Sequence, residues 1–176
     1  MRKVKYSLAS SLDNFIARKD GSADWLSIEG VEMGDFADSF KSFDAVLMGR
    51  KTYEFALSQG MTAYPNMKNY VFSRTLRENP NKRVKIVSEN AGEFVRNLKD
   101  MRGEDIWLCG GGRLAASLLA ENLIDEIDLT VYPVLLGSGI PFFSEINRQI
   151  DLELTDSKTH KNGLVSLAYR VKNRRV

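Results

Sequence analysis

The sequence predicts an α/β fold: three α/β/α layers around a mixed, mostly parallel sheet, closed by a C-terminal antiparallel hairpin. Three features carry that expectation. The apolar runs Ala45 to Met48 and Ile106 to Cys109 do not alternate, as expected of strands covered on both faces. Each stops at glycine and passes at once into helix-like spacing, the pattern of a strand feeding a helix. Near the end, two alternating stretches flank Asn162-Gly163, a two-residue hairpin signal.

The elements follow in order. Val4, Tyr6 and Leu8 alternate with Lys3, Lys5 and Ser7 as a first strand. Asp13 to Ser27 is polar and glycine-bearing, long enough for a functional loop. Phe36, Ala37, Phe40 and Phe43 recur at helical spacing. After the strand Ala45 to Met48, Thr52 to Leu57 continues as a short helix. Tyr70 to Phe72 and Val84 to Val87 read as strands. Phe94, Val95, Leu98 and Met101 form a helical stripe that Gly103 is placed to stop. Leu114 to Leu123 is a helix. Ile127, Leu129 and Val131 form a strand whose other face, Glu126, Asp128 and Thr130, is wetter.

Composition excludes several classes of function. The 176 residues predict one domain, residues 1–176, and 43% hydrophobic with 27% charged residues describes an ordinary globular chain. A net charge of +2 gives no basis for nucleic-acid binding. No run of 18 apolar residues and no signal-peptide core occur, so a soluble, cytoplasmic protein without membrane partners is expected. A single cysteine, Cys109, and a single histidine, His160, exclude an intrachain disulfide, a Ser-His-Asp triad and a His/Cys-rich metal centre. No metal is expected, and Cys109 reads as a buried structural thiol.

The chemistry concentrates at strand ends. Gly49-Arg50-Lys51-Thr52 lacks the spacing of a P-loop or of a G-x-G-x-x-G fingerprint, yet puts two cations and a hydroxyl at a helix start. It is either a phosphate site or a helix start with surface charges. Ser73-Arg74-Thr75 ends the next strand with the same composition, suited to a ribose 2′-phosphate. Gly110-Gly111-Gly112 either lets a ligand touch main chain or makes a tight strand–helix junction.

Together these segments resemble the dihydrofolate reductase superfamily. Cys109 to Leu114 is similar to its Gly-Gly-rich element, and Met48 to Glu54 resembles its Gly-Arg-x-Thr-aromatic-Glu element. Ser7 to Ala17, Asp24-Trp25-Leu26 and Val131 to Gly139 look closest to one branch, the C-terminal reductase domain of the bifunctional riboflavin-biosynthesis deaminase–reductase and its stand-alone relatives. The resemblance implies an NADPH-dependent oxidoreductase acting on a small molecule, most like a 5-amino-6-(5-phosphoribosylamino)uracil reductase. The alternatives are a general NADPH-dependent pteridine, quinone or xenobiotic reductase, or a non-catalytic NADPH-binding module. It implies a homodimer. It also implies that Arg50, Ser73 and Arg74 meet the 2′-phosphate, while Thr52 and Gly111, Gly112, Arg113 and Leu114 meet the pyrophosphate. Gly49, Lys51, Thr75 and Gly110 complete that cofactor set, with a cis peptide at Gly110–Gly111. Ala9, Ile16 and Ala17 would flank the nicotinamide, and Asp13 and Trp25 the substrate. Asp13 is the candidate catalytic residue or equally the cap of a turn, with Lys19 a second polar group of the loop.

The pattern departs from dihydrofolate reductase proper in two ways. That enzyme places a carboxylate on its first helix, and neither Asp35 nor Asp38 stands at the corresponding place. No arginine occurs between Phe55 and Asn69 to meet a glutamate tail. Both departures argue against dihydrofolate as substrate.

Overall fold

The computed structural model describes residues 1–26, 40–77 and 81–172. Its strands are β1 (Val4–Ser11), β2 (Phe15–Ala17), β3 (Phe43–Gly49), β4 (Lys68–Phe72), β5 (Val84–Val87), β6 (Asp105–Gly110), β7 (Glu126–Tyr132), β8 (Ile140–Pro141), β9 (Leu152–Thr159) and β10 (Val165–Val171). The helices used below are α1 (Arg50–Ser58), α2 (Ala91–Asp100) and α3 (Gly112–Ala120). One eight-stranded sheet runs β5-β4-β3-β6-β1-β7-β10-β9, and β2 pairs with β8 in a small antiparallel ribbon. Every pairing from β5 to β7 is parallel, and β10 is antiparallel to both its neighbours.

The two non-alternating runs occupy the middle of this sheet, as strands covered on both faces must. Their side chains divide strictly by parity. Ala45, Leu47, Ile106 and Leu108 join Val95 and Leu98 of α2 and Leu114, Leu118 and Leu119 of α3 in one core layer. Val46, Met48 and Trp107 face the other way, onto Tyr53 of α1. The sheet is therefore filled from both sides, and each fully buried aliphatic side chain contributes about 1.5–3 kcal/mol.

Local differences from the sequence reading have local causes. Phe43 opens β3 rather than extending a helix, and its ring and that of Phe40 pack on Trp107. Phe36 and Ala37 lie outside the described residues, as do Asp35 and Asp38. α2 ends at Asp100, so Met101 leaves the buried stripe and stands 56% exposed. α3 stops at Ala120, yet Leu123 still folds back into the core. The hairpin loop has three residues, not two. His160 N–H donates to Leu164 O and Gly163 N–H to His160 O, and only Gly163 takes a left-handed φ of 84°. That is a turn closed by a glycine at the left-handed position, one residue longer than the Asn-Gly signal implies.

Leu47→Ala, in a fully buried position, is expected to lower unfolding stability by about 2–5 kcal/mol through the cavity it leaves. Leu154→Ala on the exposed strand β9 is expected to cost a small fraction of that. Urea denaturation midpoints of the two variants check the difference.

Candidate active site

Parallel α/β sheets bind ligands outside the carboxyl ends of their strands, where successive connections leave on opposite faces. Here β3 and β6 are neighbours, with α1 following β3 on one face and α3 following β6 on the other. The crevice between them is lined by the two glycine segments. A Cβ on Gly111 would stand 3.3 Å from Gly49 Cα and 3.4 Å from Gly49 N, so the gap between the two segments leaves little room for a side chain at Gly111. The cleft that opens there measures about 2270 Å³ and runs from the end of β5 across β7 to β10 and β9. That exceeds the few hundred to 1,000 Å³ of an ordinary single-ligand pocket.

α1 and α3 both begin on this crevice without a side-chain cap, behind Gly49 and Gly111. Neither has an acidic residue in its first turn. Positive side chains oppose the dipole at a helix N-terminus. Yet Arg50 and Lys51 open α1, and Arg113 stands in the first turn of α3. By contrast, α2 carries Glu93 in its first turn. Free N–H groups joined by cations suit an anionic ligand and not a bare helix end. Arg50 also pairs with Glu54 at 3.0 Å, an exposed i,i+4 contact that costs little to rearrange.

Further along the sheet, Ser73 follows β4. Its Oγ accepts the N–H groups of Leu76 at 2.9 Å and Thr75 at 3.3 Å, which bends the loop and leaves Arg74 exposed on the cleft wall. Ser73 is thus a turn builder as well as a wall residue. Ser88, Glu89 and Asn90, beyond β5, line the same end of the cleft and were not singled out by the sequence reading. At the opposite end stand Ala9 of β1 and Ile16 and Ala17 of β2, with Lys19 nearby.

One sequence-based expectation is corrected, and three other residues make contacts that the sequence does not show. The Gly110–Gly111 peptide is trans, and the chain turns instead through Gly111 at φ 105°. Gly112 was expected to keep space open for the ligand. A Cβ there would instead meet Pro141 O at 3.0 Å, Phe142 O at 3.1 Å and Ser144 N at 3.1 Å, so its lack of a side chain serves packing against that segment. Asp13 is not among the cleft-lining residues. Its carboxylate accepts Ser11 Oγ–H at 2.6 Å, Leu136 N–H at 3.1 Å and Gly137 N–H at 2.7 Å. The Ser11 hydroxyl foremost, with the two backbone donors, holds its pKa below the usual carboxylate range, which suits a loop clamp and not a proton donor. Trp25 also stands behind the wall, edge-on to the cleft residue Tyr132 with ring centroids 5.3 Å apart.

The sequence reading missed the floor. Lys5 and Ser7 of β1 and Asp128 and Thr130 of β7 line the cleft from the sheet itself. Ser7 Oγ donates to Asp128 at 3.0 Å. Burial raises the Asp128 pKa more than that hydrogen bond and the Lys5 charge lower it. Burial works against the Lys5 charge, but Asp105 and Glu126, each 3.2 Å away, hold its pKa above the ordinary value. The one available signal was the polar alternation of Glu126, Asp128 and Thr130; that this face opens into the cleft follows only from β1–β7 pairing. Cys109 also lines the cleft, 3.4 Å from Tyr64 Oη, and burial pushes its thiol up to about 11, so it stays protonated at neutral pH. No group of three His, Cys, Asp or Glu side chains among the described residues could hold a metal ion.

Two outcomes follow from these contacts. Gly112→Val is expected to unfold or strongly destabilise the protein, seen as a lost or lowered thermal transition in circular dichroism, because backbone atoms cannot yield to the added carbons. Asp13, with its pKa lowered by folding, stabilises the fold above the unfolded-state pKa and ceases to do so as pH falls through the folded one. The melting-temperature gap between the parent and Asp13→Asn is therefore expected at neutral pH and should close in acid.

Comparison with known proteins agrees with this architecture. The Bacillus subtilis (strain 168) protein YwjB is 37% identical over 159 residues, covering 89% of this chain and 91% of its own. A crystal structure from Shewanella sp. PV-4, attributed to riboflavin biosynthesis, superposes with a TM-score of 0.83 at 30% identity, covering 98% of this chain and all of that one. Two more distant structures share the fold. The Thermotoga maritima diaminohydroxyphosphoribosylaminopyrimidine deaminase/5-amino-6-(5-phosphoribosylamino)uracil reductase matches at TM-score 0.74 and 16% identity, over 97% of this chain and 57% of its own. Enterococcus faecalis dihydrofolate reductase, complexed with NADP(H), matches at TM-score 0.72 and 17% identity over 97% of both chains. Residues 2–166 match the RibD C-terminal domain family, and the chain belongs to that family.

Proposed function

We propose that this protein is an NADPH-dependent reductase of a small heterocycle, with 5-amino-6-(5-phosphoribosylamino)uracil as the first substrate to test. One observation carries the reading: ligand-ready groups follow one another across four adjacent strands. Arg74 stands after β4, the start of α1 after β3, the start of α3 after β6, and Ala9 on β1. Neighbouring strands lie about 4.8 Å apart, so the row spans roughly 14 Å. An extended dinucleotide needs such a row: a cationic end, two anion-binding turns in the middle, and an apolar wall for a planar ring. Family membership, and the reductase and NADP(H) named for the distant structural relatives, support the same reading.

When bound, NADPH supplies a hydride from its nicotinamide ring. The residues of this chain then have three tasks. Arg50, Lys51, Thr52, Arg113 and the N–H groups of the two helix starts hold the pyrophosphate. Arg50, Arg74 and the Ser73–Thr75 turn meet the 2′-phosphate that distinguishes NADPH from NADH. Ala9, Ile16 and Ala17 wall the ring against water and align it with an acceptor on the floor.

NADPH is expected to bind more tightly than NADH. Arg50→Ala should weaken NADPH by about tenfold, and Arg74→Ala should act similarly, each removing a charge-assisted contact of about 1.5–3 kcal/mol. NADH binding should change far less. Fluorescence titrations measure both cofactors, and equal affinity in the parent protein would remove the 2′-phosphate assignment. Loss of nicotinamide absorbance with the aminouracil, against pteridine and quinone acceptors, tests the substrate. Tight NADPH binding with no oxidation by any acceptor would instead favour a binding module.

A further inference from the structure

We propose that Asp128 selects the ring of the hydride acceptor, pairing its carboxyl edge with the lactam edge of a uracil-type heterocycle, an N–H beside a C=O. The inference rests on the reductase reading and concerns the acceptor's half of the same cleft. Asp128 sits in β7 on the cleft floor, paired in register with Ser7 of β1. One carboxyl oxygen takes the Ser7 hydroxyl at 3.0 Å, and the other has no hydrogen-bond partner among the described residues. Across the sheet the opposing residue is Ala168, too small to cover that free edge. The Ala9–Thr130 pair lies two residues further along the same strands, about 6–7 Å away. A ring held at Asp128 therefore lies beside the wall assigned to the nicotinamide.

The protonation state of the carboxyl decides which ring it reads. A neutral carboxyl offers one donor and one acceptor, complementary to a lactam; a carboxylate offers acceptors only and suits an amidine such as a diaminopyrimidine. Burial favours the neutral form of Asp128, as does Glu126, against Ser7 and Lys5. Among the described residues, the charged and titratable groups facing it are Lys5 on β1, Glu126 on its own strand with Lys3 paired to it, Asp105 on β6 joined to Lys5, Arg170 on β10 opposite Glu126, Asp156 on β9 beyond Ala168, and, one pair further along, Lys158 and His160 beside Ser166. An asparagine presents the same donor–acceptor pair as the neutral acid, without its titration.

The test is calorimetric titration of 5,6-diaminouracil and 2,4-diaminopyrimidine into the full chain, with and without NADP⁺, from about pH 4, the ordinary aspartate value, to about pH 9. The uracil should bind more tightly at the acid end. Asp128→Ala should weaken it by about tenfold, while Asp128→Asn retains it and flattens its pH dependence. Circular dichroism and NADP⁺ affinity should be unchanged in both variants. The proposal fails if the uracil does not bind, if Asp128→Ala leaves it unaffected, if Asp128→Asn loses as much as Asp128→Ala, or if the diaminopyrimidine is preferred throughout. A parent protein that binds the uracil as expected but not NADP⁺ would sink the reductase reading and leave the role of Asp128 standing.

Discussion

The close approach of Gly111 to Gly49 governs the rest of the site. Pairing β3 directly with β6 brings the ends of both strands together, and a side chain at Gly111 would press on Gly49, whereas one at Gly49 would make ordinary contact. Because α1 and α3 leave on opposite faces, their first turns converge on the same crevice while their bodies pack into separate cores. The convergence of the two uncapped helix starts is a consequence of that packing. Gly111 adds the left-handed turn that lets α3 start immediately after β6.

A second set of contacts builds the opposite wall. Segment 12–17 is tied to segment 134–142 by Leu12 N–H to Val134 O, by the Asp13 clamp on Leu136 and Gly137, and by the β2–β8 ribbon. Tyr6, fully buried in β1, donates its hydroxyl to Phe142 O at 2.6 Å and anchors that wall to the core. Asp13 therefore acts on the cleft from behind, through the shape of the wall, while Gly112 both lines the cleft and packs against that segment. Charge is distributed to match. Arg2 with Asp44, and Lys99 with Asp125, pair at the end of the sheet remote from the cleft mouth, whereas Lys51, Arg74 and Arg113 line the cleft itself.

Much of this was legible in the residues. The central strands, the two helix starts and the hairpin each carry a local signal: an unbroken apolar run, a glycine followed by cations, or a left-handed Gly163. Ala9, Ile16, Ala17, Gly49, Arg50, Thr52, Arg74 and Gly111, singled out from local patterns, all line one cleft. What was not legible has another cause. Gly112 meets residues 141–144, and Asp13 joins its neighbour Ser11 to Leu136 and Gly137, and those partners lie far along the chain.

By itself the sequence determined which segments become buried strands, where they stop, and that two helices start uncapped beside cations, because periodicity, glycine and charge act within a few residues. Only the tertiary structure decided which strands are neighbours. That choice joined β3 to β6, turned Asp13 and Gly112 toward the outer wall, and opened the polar face of Ser7, Asp128 and Thr130 into the cleft. Strand order is set by burying both faces of the whole sheet at once, a collective requirement that no local pattern encodes.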